Sequence, residues 1–431
     1  MDIRESHPEP RLGIIISMFP ELHETFILRE LTALESMGVR FDIFSTQFPR
    51  DPITLDDAIR LSGERTTYSR LFTLATLSAF AKMSFRQPLA LIRCVWHVLR
   101  YGLDRPRDIV KNLAILPLAL YIGEWGRSRG VTHWHGHWAN VPTSACWYLG
   151  RLYGQSWSAA IHGEDIFSAN RFLRHKLDDA LFIVVCSAYF CNYLKTQMQI
   201  ENPEKIHLNY HGLDARVARH AEWAGSATSR SLRHPRTVSL VSIGRLVSTK
   251  GHDVLLRACG RLKRTGLHFH LQLIGSGPLR TTLESLAVAE GIAEMVSFSG
   301  ALAFEDVLAT LRDADMFVLA PRLVHGQPPD GIPNVIAEAM ALGIPVVSTR
   351  VSAIPELVQD GVTGCLVEAD DDAALAQAIQ RLAEDENLRH NLRVAARKRV
   401  KVLFDQNVNI RELLDLFEYY VPSGFVSQGG D

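Results

Sequence analysis

Cysteine is scarce and unpatterned in this chain. Six are present in 431 residues (Cys94, Cys146, Cys186, Cys191, Cys259 and Cys365), and no two form a C-x-x-C pair. Scattered cysteines without such pairs read most naturally as reduced thiols in a cytosolic protein. Charge of one sign is also missing: 46 Lys and Arg stand against 47 Asp and Glu, a net charge of -1. A dedicated nucleic-acid binder would be basic, so no nucleic-acid partner is expected. No apolar run approaches the ~18 residues that span a bilayer. The first residues are charged and mixed rather than basic and then apolar, so a signal peptide is not expected. What the chain does have is length, and 431 residues suggest two or three domains.

Apolar periodicity sets out two α/β halves. Residues 12–17 read as a buried strand, 24–37 as a helix with Phe26, Ile27, Leu31 and Leu34 in helical register, and 39–45 as a second strand. That β-α-β order is the mark of a parallel sheet. Further strands are expected at 131–137, 158–162, 181–187 and 206–210, and a long helical stretch at 68–129. Residues 215–236 hold Ser, Arg, His and Gly without a period and read as a linker. A second set of strands follows at 238–242, 269–274, 296–298, 316–319 and 344–348. The expected division is a domain at 1–215, a linker at 216–236, a domain at 237–405, and a last amphipathic helix within 406–431 bearing Ile410, Leu413, Leu414 and Phe417. Ligands of doubly wound sheets sit at the carboxyl ends of the strands, so with two halves the site is expected in the cleft between them.

The most informative run is Asp330-Gly331-Ile332-Pro333-Asn334-Val335-Ile336-Ala337-Glu338. Asp330 sits in a Gly/Pro loop, and Glu338 sits about a turn into an Ala/Met helix that ends at Gly343. Two carboxylates placed this way can face a ligand lying across the helix N-terminus, whose N–H groups and dipole favour phosphate. A nucleotide sugar carries both hydroxyls and phosphate. An ordinary N-capped helix is the plain alternative.

Gly244-Arg245-Leu246-Val247-Ser248-Thr249-Lys250-Gly251 follows a strand and opens a helix near His252. Arg binds phosphate with a fork and Lys with a point charge, so Arg245 and Lys250 suit a diphosphate. A surface loop with two solvated cations is the alternative. Ile274-Gly275-Ser276-Gly277-Pro278-Leu279 is a second Gly turn after a strand. Asp370-Asp371-Asp372 satisfies a D-x-D spelling, but it precedes an Ala-rich helix and reads as an N-cap cluster. No metal and no cofactor is expected.

Together these residues resemble the signature of retaining glycosyltransferases of family four, the group 1 type. Their fold is α/β of the GT-B kind, two Rossmann-like doubly wound domains facing a cleft. The usual motif has two Glu with seven residues between them; here the first is Asp330, which keeps the spacing and loses one methylene. The loop at 244–251 matches the family's phosphate-binding G-R-x4-K-G element. The resemblance implies that Glu338 holds the ribose hydroxyls and Asp330 the hexose hydroxyls, helped by backbone N–H groups along Gly331, Ile332, Pro333 and Asn334. It assigns Arg245 and Lys250 to the phosphates, and Gly275 and Gly277 to a close backbone approach to the nucleotide. Phe298 lies where the family contacts the base by backbone, and also reads as core. The cations and N–H groups would offset the leaving diphosphate charge without a metal. In this family the last helix crosses back to the first domain.

The first half adds acceptor candidates. Glu24 and Thr25 belong to an E-T-F-I element similar to that of an exopolysaccharide and lipopolysaccharide branch of the family, the colanic-acid-like one; a helix capping box is the equal alternative. His133, His135 and His137 alternate, so they share one face of an extended segment. No carboxylate of suitable spacing adjoins them, which weighs against metal binding, and His137 lies nearest the strand end. Residues 160–167 resemble the family's T-x-H-x-x-D-I-F segment. This makes His162 the catalytic-site candidate of the first half and Asp165 an acceptor candidate, with a structural histidine as the alternative. His211-Gly212-Leu213-Asp214 matches a turn that ends the first domain.

Residues 68–129 combine Arg70, Lys82, Arg86, Arg93 and Arg100 with Phe72, Phe80, Phe85 and Trp96. Two readings stand side by side: helices on an anionic membrane surface, or helices packed on the domain with solvated Arg faces. The resemblance implies transfer of a hexose from a nucleotide-diphosphate sugar to a saccharide or polyprenol-linked acceptor, in exopolysaccharide or lipopolysaccharide synthesis. The expected location is cytoplasmic, peripheral on the inner membrane face if the first reading of 68–129 holds. A nucleotide-sugar epimerase and a non-catalytic partner subunit binding nucleotide sugar or membrane are the rival readings.

Overall fold

The computed structural model describes residues 9–21, 24–53, 55–163, 166–167, 171–225, 237–327, 329 and 331–421. The chain forms two compact units, Met1–Gly212 with Gln406–Asp431, and Leu213–Asp405.

The first unit runs β1 (Arg11–Met18), α1 (Thr25–Ser36), β2 (Phe41–Gln47), α2 (Asp56–Glu64), β3 (Thr66–Tyr68), α3 (Leu74–Arg86), α4 (Pro88–Gly102), α5 (Pro106–Ala114) and α6 (Leu116–Arg129). It continues with β4 (Val131–His137), α7 (Val141–Tyr153), β5 (Ser156–Ile161), α8 (Arg171–Asp179), β6 (Ile183–Val185), α9 (Ala188–Thr196) and β7 (Ile206–Leu208). The seven strands order β3-β2-β1-β4-β5-β6-β7, and every pairing is parallel. This is a doubly wound sheet whose strand order reverses between β1 and β4. Strands covered on both faces are continuously apolar, and Leu12, Ile14, Ile15 and Ile16 of β1 are fully buried. Gly13 interrupts that run because a Cβ there would run into the Trp134 ring of β4.

The second unit runs α10 (Ala215–Gly225), β8 (Val238–Ile243), α11 (His252–Arg264), β9 (Phe269–Ile274), α12 (Arg280–Ala289), β10 (Val296–Gly300), α13 (Phe304–Asp313) and β11 (Met316–Val318). Then follow α14 (Asn334–Ala341), β12 (Val346–Thr349), α15 (Ile354–Leu357), β13 (Cys365–Val367), α16 (Asp372–Glu384) and α17 (Glu386–Leu403). Its six strands order β10-β9-β8-β11-β12-β13, again all parallel, with the reversal between β8 and β11. The chain then returns to the first unit as α18 (Gln406–Tyr420). Ile410, Leu413 and Phe417 of α18 join Ile27, Leu31 and Leu34 of α1 in one core cluster with β1 and β2. Asn409 Nδ2 donates to the Tyr210 carbonyl at 2.8 Å, and Gln406 Nε2 to the Arg29 carbonyl at 3.1 Å.

One expectation changes. The supposed linker at 216–236 opens with α10, and residues 226–236 lie outside the described residues. Asp214 starts that helix by accepting the Arg216 N–H at 2.8 Å, while the Arg216 guanidinium folds back on the same carboxylate and lies over the Phe304 ring at 4.1 Å. Arg216, Arg219 and His220 interrupt the apolar spacing, although Val217 is fully buried. The helical stretch expected at 68–129 is made of four helices, α3 to α6, and α4, α5 and α6 each carry Pro in the first turn. Proline fits a helix start and breaks a helix interior, so each Pro marks a restart.

Candidate functional site

In the second unit, three strand-end loops are stitched together by backbone. Gly244 N–H donates to Ile274 O at 2.9 Å, Leu246 N–H to Ser276 O at 2.9 Å, and Gly275 N–H to Gly300 O at 2.8 Å. Gly275 and Gly277 make this approach possible. A Cβ on Gly275 would strike the Gly244 carbonyl, and one on Gly277 the Leu246 carbonyl. Sequence reasoning assigned these glycines to the nucleotide; in the structure their missing side chains bring the loops after β8 and β9 together. Phe298 is half-buried, packs against the core of this unit, and its carbonyl accepts from Arg280 at 3.3 Å.

The loop after β8 is tied to the loop after β11 as well. Gly251 has φ +63, and a Cβ there would land on the Ala320 carbonyl oxygen. Arg322 donates from its N–H to the Thr249 carbonyl at 3.0 Å and from Nε to the Ser248 carbonyl at 2.9 Å. Its other nitrogens hold Asp253 at 3.0 Å and Asp370 at 2.9 Å. The stem of Lys250 lies along Gly244. Arg245 is exposed and has no ion-pair partner among the described residues. His252 begins α11 under this loop, 2% exposed, and burial drives its imidazole down to about 4, with the Lys250 charge adding to the effect.

Asn334 opens α14 behind Pro333, which serves as N-cap without a side-chain bond. Pro333 has no N–H, which corrects one expected donor. Ile336 N–H is taken by the Pro333 carbonyl at 2.9 Å, while no backbone partner of Asn334 or Val335 N–H is found among the described residues, as expected at a helix start. Gly331 and Ile332 are half-buried before them, and Glu338 is 8% exposed on the same helix. Because the sheet is parallel, the ends of β8 and β11 share one edge, and both segments leave from that edge. Asp330 lies outside the described residues, as does Asp165. The three aspartates after β13 are all occupied: Asp370 by Arg322, Asp371 as the α16 N-cap to Ala374 N–H at 2.8 Å, and Asp372 by Arg261.

In the first unit, the candidates His137 and His162 belong to one file of contacts. Glu30 Oε1 stands 3.3 Å from His137 Nε2, His137 Nδ1 3.2 Å from His162 Nε2, and His162 Nδ1 3.0 Å from His211 Nε2. Phe26 stacks on His211 with ring centroids 4.3 Å apart. Burial holds His162 well below the ordinary imidazole value and His211 down to about 3. A pocket lies over this file, lined by Phe26, Arg29, Glu30, His162, His211 and Asn409. Glu24 precedes α1 but makes no side-chain cap bond, so the capping-box alternative fails. Burial raises its carboxyl to about 7, against the lowering effect of the Trp138 indole. Thr25 is the first residue of α1. His133 is structural: its two ring nitrogens meet Ser156 and Ser158, each at 2.8 Å.

Sequence reasoning missed Glu30, Arg322 and the placement of His211. Each depends on a contact between segments distant in the chain, which spacing does not record. His252 stood beside the phosphate motif and was legible there only as a helix start.

In a parallel doubly wound unit, cations and helix N–H groups at the carboxyl ends of neighbouring central strands stand where phosphate-bearing ligands bind. Residues 229–399 match the family described as Glycosyl transferases group 1. The second unit therefore carries a group 1 glycosyltransferase domain, and the protein is a glycosyltransferase of GT-B fold. The chain is similar along its length to WcaL of Salmonella typhimurium, named for colanic acid biosynthesis, at 29% identity over 425 residues, 95% of this chain and 99% of that protein. It is similar to the amylovoran biosynthesis glycosyltransferase AmsK of Erwinia amylovora at 27% over 435 residues, 95% of this chain and 99% of that protein. Among solved structures, Anabaena Alr3699/HepE in complex with UDP shares the fold with a TM-score of 0.68 at 15% identity, over 95% of this chain and 100% of that one.

Proposed function

We propose that the protein is a retaining, metal-independent hexosyltransferase that uses a nucleotide-diphosphate sugar to extend a saccharide chain in exopolysaccharide or lipopolysaccharide synthesis. The observation that carries this reading is the edge of the second sheet, where Arg245, Lys250 and the first N–H groups of α14 leave neighbouring strand ends. Arg245 and Lys250 hold the diphosphate, Asn334 and Val335 N–H face the sugar, and Glu338 takes the ribose hydroxyls. Asp330 takes the hexose hydroxyls. These fixed donors offset the charge that develops on the leaving diphosphate.

The acceptor hydroxyl attacks the anomeric carbon on the face from which the diphosphate departs. The bond from that carbon to the phosphate oxygen breaks, and the same phosphate takes the hydroxyl proton, so configuration is retained. In the first unit, His137, His162, Glu24, Thr25 and Asp165 are the acceptor-side candidates, with His162 orienting the sugar. The exopolysaccharide assignment draws on the likeness to WcaL and AmsK, and the nucleotide donor on the UDP held by the Anabaena structure. A polyprenol-linked acceptor agrees with the apolar outer faces of α3 and α4, where Leu74, Phe85, Leu89 and Trp96 are exposed.

Thermal melting with a panel of UDP-, GDP- and ADP-sugars tests the donor site, because a ligand that binds only the folded state raises the melting temperature. One donor should raise it in the native chain and fail to do so in Lys250→Ala. A panel with no effect, or an unchanged shift in the variant, would remove this assignment.

A further inference from the structure

The face of β4 toward α1 holds three buried atoms that make no hydrogen bond. They are His135 Nε2, His137 Nε2 and Glu30 Oε1. One candidate ligand atom from each of the three residues lies within 4.8 Å of the other two. His137 Nε2 and Glu30 Oε1 are 3.3 Å apart, but their contact is out of line for a hydrogen bond. His135 is 1% exposed and His137 is fully buried, so bulk solvent does not reach these atoms. Leaving such groups unsatisfied in the interior is costly, and a sequence that gathers three of them on facing elements calls for a common partner.

The opposite ring nitrogens are already held. His135 Nδ1 meets Ser158 Oγ at 2.7 Å, and His137 Nδ1 meets His162 Nε2 at 3.2 Å. Imidazoles that bind metals are commonly oriented in this way, with one nitrogen fixed by a neighbour and the other presented to the ion. Two imidazoles and one carboxylate are a donor set that suits zinc, whereas magnesium and calcium favour oxygen. A tetrahedral zinc with ligands at ~2.0–2.2 Å separates those ligands by roughly 3.4 Å. The Glu30 Oε1–His137 Nε2 spacing of 3.3 Å is already close to that value, and a ring nitrogen of His135 lies near enough to join them after a small adjustment.

We propose that Glu30, His135 and His137 bind one divalent ion of the zinc class, which ties α1 to β4. The alternation of His135 and His137 supplies two ligands from one face of a strand, and the third comes from the middle of a helix packed over it. That third ligand is the carboxylate missing from the sequence around the histidines.

The test uses the full chain with any affinity tag removed, stripped with chelator and titrated with zinc and with cobalt(II). One zinc per chain by mass spectrometry of the metal, the visible absorption of four-coordinate cobalt, and a higher melting temperature with zinc are expected. Glu30→Gln keeps the size and folding of the side chain and should weaken zinc binding at least about tenfold, with circular dichroism unchanged. His135→Gln should do the same; if it fails to fold, Glu30→Gln carries the test. Sub-stoichiometric zinc in the native chain, or equal affinity in Glu30→Gln, would overturn the site. The donor-induced shift in the second unit reads out separately, so loss of zinc with that shift intact still counts for this site alone.

Discussion

His252 shows how a single buried group couples the phosphate loop to pH. Its imidazole lies under Gly244, 2% exposed, and is held down to about 4. An unfolded histidine titrates near 6.5. Between those two values the unfolded chain binds a proton that the folded chain does not, so stability rises with pH there. The contribution is fully present above about 6.5 and is lost as pH falls through about 4, by roughly 3 kcal/mol at ~1.4 kcal/mol per pH unit. His252→Asn should therefore lose about 2.5 kcal/mol of the difference in opening free energy between pH 7.5 and 4.5, as read by amide exchange in α11. An unchanged difference would place the acid sensitivity elsewhere. Sequence reasoning saw Arg245 and Lys250 at this site because their roles are written locally, in the order strand, Gly turn, cation, helix. The burial of His252 was not legible, because it depends on what the sheet of this unit packs beneath α11.

At the scale of elements, Gly251 is the joint between the loop after β8 and the loop after β11. Its φ of +63 disfavours any side chain, and a Cβ would meet the backbone oxygen of Ala320, which has little room to yield. Gly251→Ala should cost more than the ~1 kcal/mol of a left-handed residue alone and should weaken the nucleotide-sugar shift at least about tenfold, because Lys250 is displaced with the loop. Gly266→Ala is the control. Gly266 has φ +84 with open space around it, and should cost about 1 kcal/mol with donor binding intact. Equal effects of the two on donor binding would remove the joint. Most strands were legible from their apolar runs, since a doubly wound parallel sheet buries both faces. Short edge strands were not: β3, only three residues long and half-buried throughout, carries no such run. The start of α10 escaped as well, because its cap at Asp214 and its Arg216–Phe304 contact stand in for the apolar period.

Over the whole molecule, the surface of the first unit has one region that helix packing does not explain. Along α4, Leu91, Cys94 and Val98 are buried, while Leu89, Ile92, Trp96, Leu99 and Leu103 are exposed at helical spacing on the other side. Along α3, Ala79 and Met83 are buried, while Leu74, Leu77 and Phe85 face outward, Phe85 with 89% of its surface exposed. Lys82, Arg86, Arg93 and Arg100 are exposed among them, and Arg100 covers the Trp96 ring at 5.4 Å. Helices with one apolar face on the core and a second apolar face edged by cations suit an anionic bilayer surface, where the outward side chains enter the acyl boundary. No helix among the described residues is long and apolar enough to cross a membrane, so contact of this kind would be peripheral. Flotation with vesicles containing anionic lipid should carry the native chain upward, less so as salt screens the cations. Inserting a Phe or Leu side chain is worth about 1.5–3 kcal/mol, so Phe85→Ser with Leu89→Ser should lower partition more than tenfold. Melting temperature and donor-induced shift should stay unchanged, because neither side chain is packed. Equal flotation of variant and native chain would return this region to the reading of packed helices with solvated arginines, and the acceptor would then reach the enzyme without help from this face.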